Sequence, residues 1–314
     1  MKMSSVFSIK LKKRSSKMSS RKRNWSEYNK QLVNRGNIFL WIDKTLLDEW
    51  VVKKKKKGRP AFSPAVIQAG LFIKRFYKCP FRALQGFLNS LIGIMKQKVS
   101  SPHYSLFCKR AEEVSALLPK ISKTKSTELI LDSSGLKIKG EGEWKDKVHR
   151  SKTRKSWIKL HIAIDPQTQE ITASVVSDET VGDPSAAFSL IDQAPGSVKT
   201  VYGDGAYDRK SLRKHLFEKG IDPCIPPRRG GKLHKEEFMR PRNDALLAIR
   251  GLGNDEEAFS LWKKLSRYNK RSLVESAFSR LKTIFGNRLN SRKLGNQKAE
   301  ILFQLHALNR MLRI

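Results

Sequence analysis

Three segments in the first half of the chain carry apolar residues at three- and four-residue steps, a period that predicts amphipathic helices. Each contains a proline at or next to its start: SPAVIQAGLFIKRFY begins at Ser63, CPFRALQGFLNSL at Cys79 and SPHYSLFCKRAEEV at Ser101. In the first of them, Ser63 suits the N-cap and Pro64 the first helical position. The pattern predicts a compact three-helix unit within residues 59–125.

From residue 126 onward, the pattern changes to the two-residue alternation that is typical of strands. The apolar run ELILD ends at Asp132, and LKIKG continues the alternation. WIKLHIAID and EITASVV predict a hairpin at 157–176 with Asp165 at its turn. Helix and strand patterns then alternate through DPSAAFSLIDQ, KTVYGD, DRKSLRKHLFEKG and IDPCIP, and Asp208 is predicted to cap the second of these helices. This order predicts an α/β fold with a mixed sheet flanked by helices.

A stretch rich in Pro, Gly and Arg at 226–244 breaks the alternation and predicts an irregular insertion, which we bound at about 226–256. The later segment RYNKRSLVESAFSRLK, at 267–282, is predicted to form a helix. At about 100° per residue, one wedge of about 60° holds its polar row, while apolar residues cover the other side. That row is Tyr268, Arg271, Glu275 and Lys282. A surface ladder of ion pairs is the plain structural interpretation of the row.

Charge narrows the class of partner. The chain has 64 Lys and Arg against 29 Asp and Glu, a formal net charge of +35. So large a surplus favours a polyanionic partner, first nucleic acid and second an anionic membrane surface. The sequence has no apolar run long enough for a membrane span, no secretory signal and only three scattered cysteines. A cytoplasmic protein is therefore expected.

The N-terminal region is the most basic part, with 18 Lys and Arg against 4 acids in the first 60 residues. Residues 1–58 are predicted to be a basic arm, disordered over about its first twenty residues, with a small ordered element at 25–50 and a linker that continues into KKKKKGRP. The GRP sequence of that linker suits a DNA minor groove, although a solvated charge run explains it equally well.

In a chain this basic, the three-helix unit suggests helix-turn-helix DNA binding. The segment after Pro102 would then be the recognition helix, with four exposed readers: His103, Tyr104, Ser105 and Lys109. A helical bundle with only a structural role is the alternative.

Three acids are candidates for chemistry. Asp132 and Asp204 follow short apolar strands, where the carboxyl edge of an α/β sheet places reactive groups. Glu275 lies on the predicted helix face. Three such carboxylates could converge on a pair of divalent cations, of which Mg²⁺ suits carboxylate ligands and phosphate substrates best.

These residues also resemble a known family. The spacing Tyr268-x2-Arg271-x3-Glu275-x6-Lys282 matches the signature of DDE-type transposases of bacterial insertion sequences, in the insertion-sequence-four and -five superfamily. GDGAYD around Asp204 and LILDSSGLKI are similar to the regions of the two catalytic aspartates. WSEYNKQLVNRGNIFLWID and RALQGFLNSL resemble the N-terminal part of the insertion-sequence-five group.

The resemblance implies a ribonuclease H-like catalytic domain at 126–314, with the metal-binding triad Asp132, Asp204 and Glu275. Two Mg²⁺ ions, which Mn²⁺ can replace, would serve cleavage of double-stranded DNA at the transposon ends and attack of the freed 3′-hydroxyl on target DNA. Tyr268, Arg271 and Lys282 would contact phosphates near the end. A homodimer or larger assembly on paired ends, at the bacterial nucleoid, is expected by the same likeness.

Two other functions stay open at this point. One is a DNA-binding regulator that uses the N-terminal helices and keeps a silent catalytic domain. The other is a ribonuclease H-like nuclease that cleaves without strand transfer.

Overall fold

The structure, a computed structural model, describes residues 24–42, 44–52, 61–138, 157–178, 182–228 and 230–313. Two compact units divide after Asn37. The first holds helix α1 (Trp25–Asn34), whose N-cap Asn24 accepts a hydrogen bond from the amide of Glu27 at 3.3 Å. The predicted arm at 1–20 and the lysine-rich linker at 53–60 lie outside the described residues.

The second unit begins with helix α2 (Lys44–Asp48) and a short antiparallel pair, β1 (Val51–Val52) with β2 (Ala61–Phe62). The three predicted helices follow and are confirmed as α3 (Pro64–Phe76), α4 (Phe81–Ile94) and α5 (Tyr104–Ala116). Local chemistry explains where they start. The Ser63 hydroxyl accepts from the amide of Val66 at 3.3 Å, and Pro64 occupies the first helical turn.

Helices α3 and α5 pack closely on each other and on the C-terminal helix, α11 (Leu294–Leu312). Gly70 of α3 lies against the ring of Phe107, since a Cβ there would approach a ring carbon to 2.3 Å. One apolar core runs through these helices and the sheet. The compact unit thus extends from Ile38 across the predicted boundary at 125, and the proposed division into a 59–125 domain and a 126–314 domain stays a prediction.

The predicted readers on α5 do not share one exposed surface. His103 and Lys109 are exposed, whereas Tyr104 and Ser105 are half-buried. The amide of Tyr104 donates to the side chain of Gln85 on α4 at 2.9 Å. Packing of α5 against α4 is therefore what covers part of this helix start, and the helix-turn-helix assignment stays a prediction.

The central sheet has strands β3 (Glu128–Ile138), β4 (Trp157–Ile164), β5 (Ile171–Asp178), β6 (Thr200–Tyr202) and β7 (Asp222–Cys224). Their order is β5-β4-β3-β6-β7, and β8 (Arg288–Leu289) pairs with the far end of β3. The first three strands are antiparallel to one another, while β6 and β7 run parallel to β3. The mixed sheet and the hairpin are confirmed, and Asp165 closes the hairpin turn by accepting from the amides of Gln167 and Thr168.

Successive side chains of β3 point to opposite faces of the sheet. Leu129 and Leu131 belong to a core with helices α6 (Asp183–Gln193) and α7 (Lys210–Glu218). Ile130 and Leu136 belong to the other core, with α11 and helix α10 (Ser272–Phe285). The sheet therefore separates two helical layers, and even-numbered residues of β3 face α10.

The insertion differs from its predicted irregular form. After an irregular start it contains a short 3₁₀ turn, helix α8 (Arg240–Gly251) and helix α9 (Glu256–Leu265). Pro241 lies in the first turn of α8, where a missing amide costs nothing, and Asp255 caps α9 by accepting from the amide of Ala258 at 2.7 Å. Proline, taken as a breaker of helices, here marks the beginning of one.

Across the described ranges of the chain, no helix combines the length and apolar character needed to cross a membrane.

Candidate active site

Asp132 lies near the middle of β3, on the face toward α10. Its side chain is 15% exposed, and its Oδ1 accepts a hydrogen bond from the amide of Ser133 at 2.9 Å. Burial raises the pKa of Asp132 above its ordinary value, against the lowering effects of the Ser133 amide and Arg271, and the charges of Asp204 and Glu275 add to the rise. A buried carboxylate with acidic neighbours needs a compensating cation.

Asp204 is brought beside Asp132 by the register of two parallel strands. Ile130 pairs with Tyr202, and each acid follows its paired residue by two positions. A two-residue step returns to the same face, so both carboxylates lie at one edge of the sheet on the side of α10. Oδ1 of Asp204 accepts from the amide of Ala206 at 2.8 Å, which starts the 3₁₀ turn Gly205–Tyr207.

The segment that carries Glu275 is not one helix, as predicted, but a 3₁₀ turn followed by α10. Arg267 adopts a left-handed conformation with φ 57°, and Tyr268–Arg271 then form the 3₁₀ turn. Tyr268 and Arg271 thus precede the α-helix, and the common wedge holds only for Glu275 and Lys282 within it. The predicted apolar face of α10 is confirmed as buried.

Arg271 joins all three acids. Its guanidinium lies 2.6 Å from Glu275 Oε1, 3.4 Å from Asp132 Oδ2 and 4.0 Å from Asp204 Oδ2. Burial acts to lower the pKa of Arg271, but the surrounding negative groups, Asp132 first, raise it overall. Three carboxylates that are distant in the sequence therefore meet at one cation.

The chemistry of this donor set suits a hard divalent ion, because Mg²⁺ prefers carboxylate oxygens with waters and phosphates. Among the described residues, no three His, Cys, Asp or Glu side chains are already arranged to hold a metal ion. The acids surround a guanidinium instead. The residues fit a divalent cation by charge and donor type, and Arg271 takes the place of the positive charge.

Comparison with known families decides what this arrangement belongs to. Two family models, both described as "Transposase DDE domain", match residues 123–310 and residues 33–141. The chain belongs to the DDE transposase family. The resemblance drawn from the sequence is thereby confirmed at the level of the family, whose members are metal-dependent DNA transposases, while the insertion-sequence-five subtype stays a prediction.

Among solved structures, this DDE transposase is similar to one titled "Cryo-EM structure of piggyBac transposase synaptic complex with hairpin DNA (SNHP)". The two share 10% sequence identity with a TM-score of 0.46. The match covers 89% of this chain and 75% of that one.

Two further predicted site residues lie at the rim of the transposase's acid cluster. Lys282 Nζ donates to the hydroxyl of Ser134 at 2.7 Å, two residues beyond Asp132 on the same face of β3. The half-buried Tyr268 lies beside Trp262, with 6.0 Å between ring centroids, and burial raises its pKa to about 12. Tyr268 is therefore neutral at physiological pH and has a hydroxyl to donate.

Sequence reasoning placed Asp208 wrongly. Arg209, not Asp208, precedes α7, and no side chain caps that helix. The buried carboxylate of Asp208 instead binds the guanidinium groups of Arg213 at 2.7 Å and Arg242 at 3.0 Å. Arg242 comes from the inserted helix α8, so this ion pair cluster ties the insertion to the sheet, and no local pattern could have indicated it.

Proposed function

We propose that this DDE transposase cuts DNA at insertion-sequence ends and joins the freed 3′-hydroxyl to target DNA, with Asp132, Asp204 and Glu275 as ligands of two Mg²⁺ ions. The observation that carries the proposal is the meeting of these three acids around Arg271. Mn²⁺, which has the same charge and accepts the same oxygen ligands, would substitute.

When bound, the ions would activate the attacking oxygen and stabilise the leaving oxygen during in-line phosphoryl transfer. The chain's own residues hold and orient the reacting groups. The amide of Ser133 keeps one oxygen of Asp132 in place and leaves Oδ2 directed toward the cluster centre. Glu275, with its side chain 59% exposed, is the acid most open to substrate and water.

Substrate binding would rest on the cations at the rim. Arg271 is suited to grip a phosphate through two parallel N–H bonds, whereas Lys282 offers a point charge. Tyr268 adds a neutral hydroxyl donor. The net charge of +35 supports double-stranded DNA as the partner, because each neutralised phosphate releases counterions.

The strand order supports a ribonuclease H-like fold of the insertion-sequence-five type for the catalytic part. Three antiparallel strands are followed by two parallel strands that are reached through helices, and the acids lie on the central strand, its parallel neighbour and a later helix. Since two transposon ends must be joined, we further propose a homodimer or higher assembly on paired ends. Helices α3–α5 would add DNA contacts through exposed side chains such as Lys109.

The test is a cleavage and joining assay on a duplex that carries the flanking repeat of the gene, with Mg²⁺. Glu275→Gln should abolish both products and keep end binding in a gel-shift measurement, because the lost group holds metal rather than DNA. Asp132→Asn and Asp204→Asn should do the same. Glu257→Gln is a matched control, since Glu257 is another exposed acid in the first turn of a helix, α9.

Each other outcome identifies a different protein. Full cleavage by any of the three acid variants would refute the triad. Cleavage without joined product by the wild type would indicate a nuclease, and end binding without cleavage would indicate a DNA-binding regulator.

A further inference from the structure

A second polar cluster lies on the opposite face of the sheet, directly behind Asp132. Because side chains alternate along β3, Ser133 points toward α6 while Asp132 points toward α10. His161 of β4 pairs with Ser133 in the register and therefore lies beside it on the α6 face. The first residue of α6, Asp183, accepts a hydrogen bond from the Ser133 hydroxyl.

Asp183 is held firmly in that position. Its Oδ1 lies 2.8 Å from Lys159 Nζ and 3.4 Å from His161 Nδ1. The His161 side chain is wholly buried, and its other ring nitrogen hydrogen-bonds to the hydroxyl of Ser177 on β5 at 2.9 Å. A carboxylate supported from two strands has little freedom to follow a moving partner.

Ser133 links the two faces. Its hydroxyl bonds to Asp183 on one side, while its backbone amide donates to Asp132 Oδ1 at 2.9 Å on the other. A constraint on the side chain of Ser133 is thus a constraint on the peptide whose N–H orients the Asp132 carboxylate. Hydrogen bonds to a ligating carboxylate set its orientation and its affinity for metal.

We propose that Asp183 is a positioning residue of the transposase, which acts through Ser133 to orient Asp132 for metal binding. The inference rests on the proposed function, because it assumes that Asp132 is a metal ligand. A purely structural role, in which Asp183 only docks the start of α6 on the sheet, is the competing account. The two accounts differ in what removal of a single oxygen atom from Ser133 should do.

The experiment measures Mn²⁺ binding to the full-length DNA-free protein by electron paramagnetic resonance, so that the readout does not depend on cleavage. Ser133→Ala, Asp183→Ala and the double variant form a cycle. We expect each single variant to weaken Mn²⁺ binding by about 10- to 100-fold, as is typical for outer partners of metal ligands. The double variant should be no weaker than the worse single one, because both remove the same constraint.

Asp192→Ala is the matched control, since Asp192 lies on the same helix and pairs with Lys219 at 2.8 Å on the outer surface. It should bind Mn²⁺ as the wild type does. Thermal unfolding of every variant separates a loss of fold from a loss of affinity. Ser133→Ala keeps the test sharp if Asp183→Ala fails to fold, because it leaves the ion pairs of Asp183 intact.

Cleavage adds a second readout. In Ser133→Ala, raised Mn²⁺ should restore cleavage, whereas Asp132→Asn should stay inactive at any metal concentration. Wild-type Mn²⁺ affinity in Ser133→Ala, or additive losses in the double variant, would overturn the positioning role and leave the triad intact. Equal Mn²⁺ binding by the wild type and Asp132→Asn would instead overturn the proposed function, and the inference with it.

Discussion

Arg271 is the residue at which the needs of metal and DNA conflict. In the DNA-free protein its guanidinium contacts all three acids, so a divalent ion must displace it. Once DNA is bound, the same guanidinium is free to grip a phosphate. We therefore predict that Arg271→Ala moves the two affinities in opposite directions, with tighter metal binding and weaker DNA binding.

The size of the metal effect follows from the contacts. Exposed ion pairs contribute about 0.2–1 kcal/mol each. Arg271 and Asp132 are only 22% and 15% exposed, so three contacts near the upper half of that range amount to about 2 kcal/mol. Since about 1.4 kcal/mol is a factor of ten, Mn²⁺ should bind the DNA-free variant about 30-fold more tightly at low ionic strength.

Mn²⁺ titration of the DNA-free protein measures the first effect, and a gel-shift series in rising salt measures the second. In the second, the salt dependence of end binding should lose about one unit of slope for one phosphate contact. Lys282→Ala is the control, because Lys282 bonds to Ser134 and makes no ion pair with the triad among the described contacts. It should reduce the salt slope equally and change Mn²⁺ affinity far less. Unchanged or weaker Mn²⁺ binding by Arg271→Ala would refute the reasoning.

Two further predictions concern acids outside the site. Asp208→Asn should lower the free energy of unfolding by about 3–5 kcal/mol in chemical denaturation, because it leaves the buried Arg213 and Arg242 without a counter-charge; a wild-type denaturation midpoint would show that the cluster is unimportant. Glu170 has its pKa lowered from 4.5 to about 2, with the hydrogen bond from Arg313 as the largest cause. Because the unfolded chain takes up this proton first, the stabilisation is complete above about pH 5 and is lost as the pH falls toward about 2, by at most about 3 kcal/mol. Glu170→Gln should flatten the fall in stability between about pH 5 and pH 2, and a profile parallel to that of the wild type would contradict the assignment.

Features set by short stretches of chain were predictable from the sequence. Ser63 and Pro64 define the start of α3, Asp165 closes the hairpin, and the alternation of apolar residues identifies the strands. The spacing from Tyr268 to Lys282 selected the family. In each case the backbone period or a cap within four residues carries the signal, so no knowledge of the chain path is needed.

The tertiary structure decided which charged groups meet. The parallel register of β3 and β6 brings Asp204 beside Asp132, and the left-handed Arg267 turns Arg271 out of the helix and into the acids. It likewise pairs Asp208 with an arginine of an inserted helix and joins Ser133 to Asp183. Ion pairs of this kind depend on segments far apart in the chain, and in so basic a sequence every acid has many possible partners. Local pattern could name the acids of the site, but only the fold selects the cation that each one contacts.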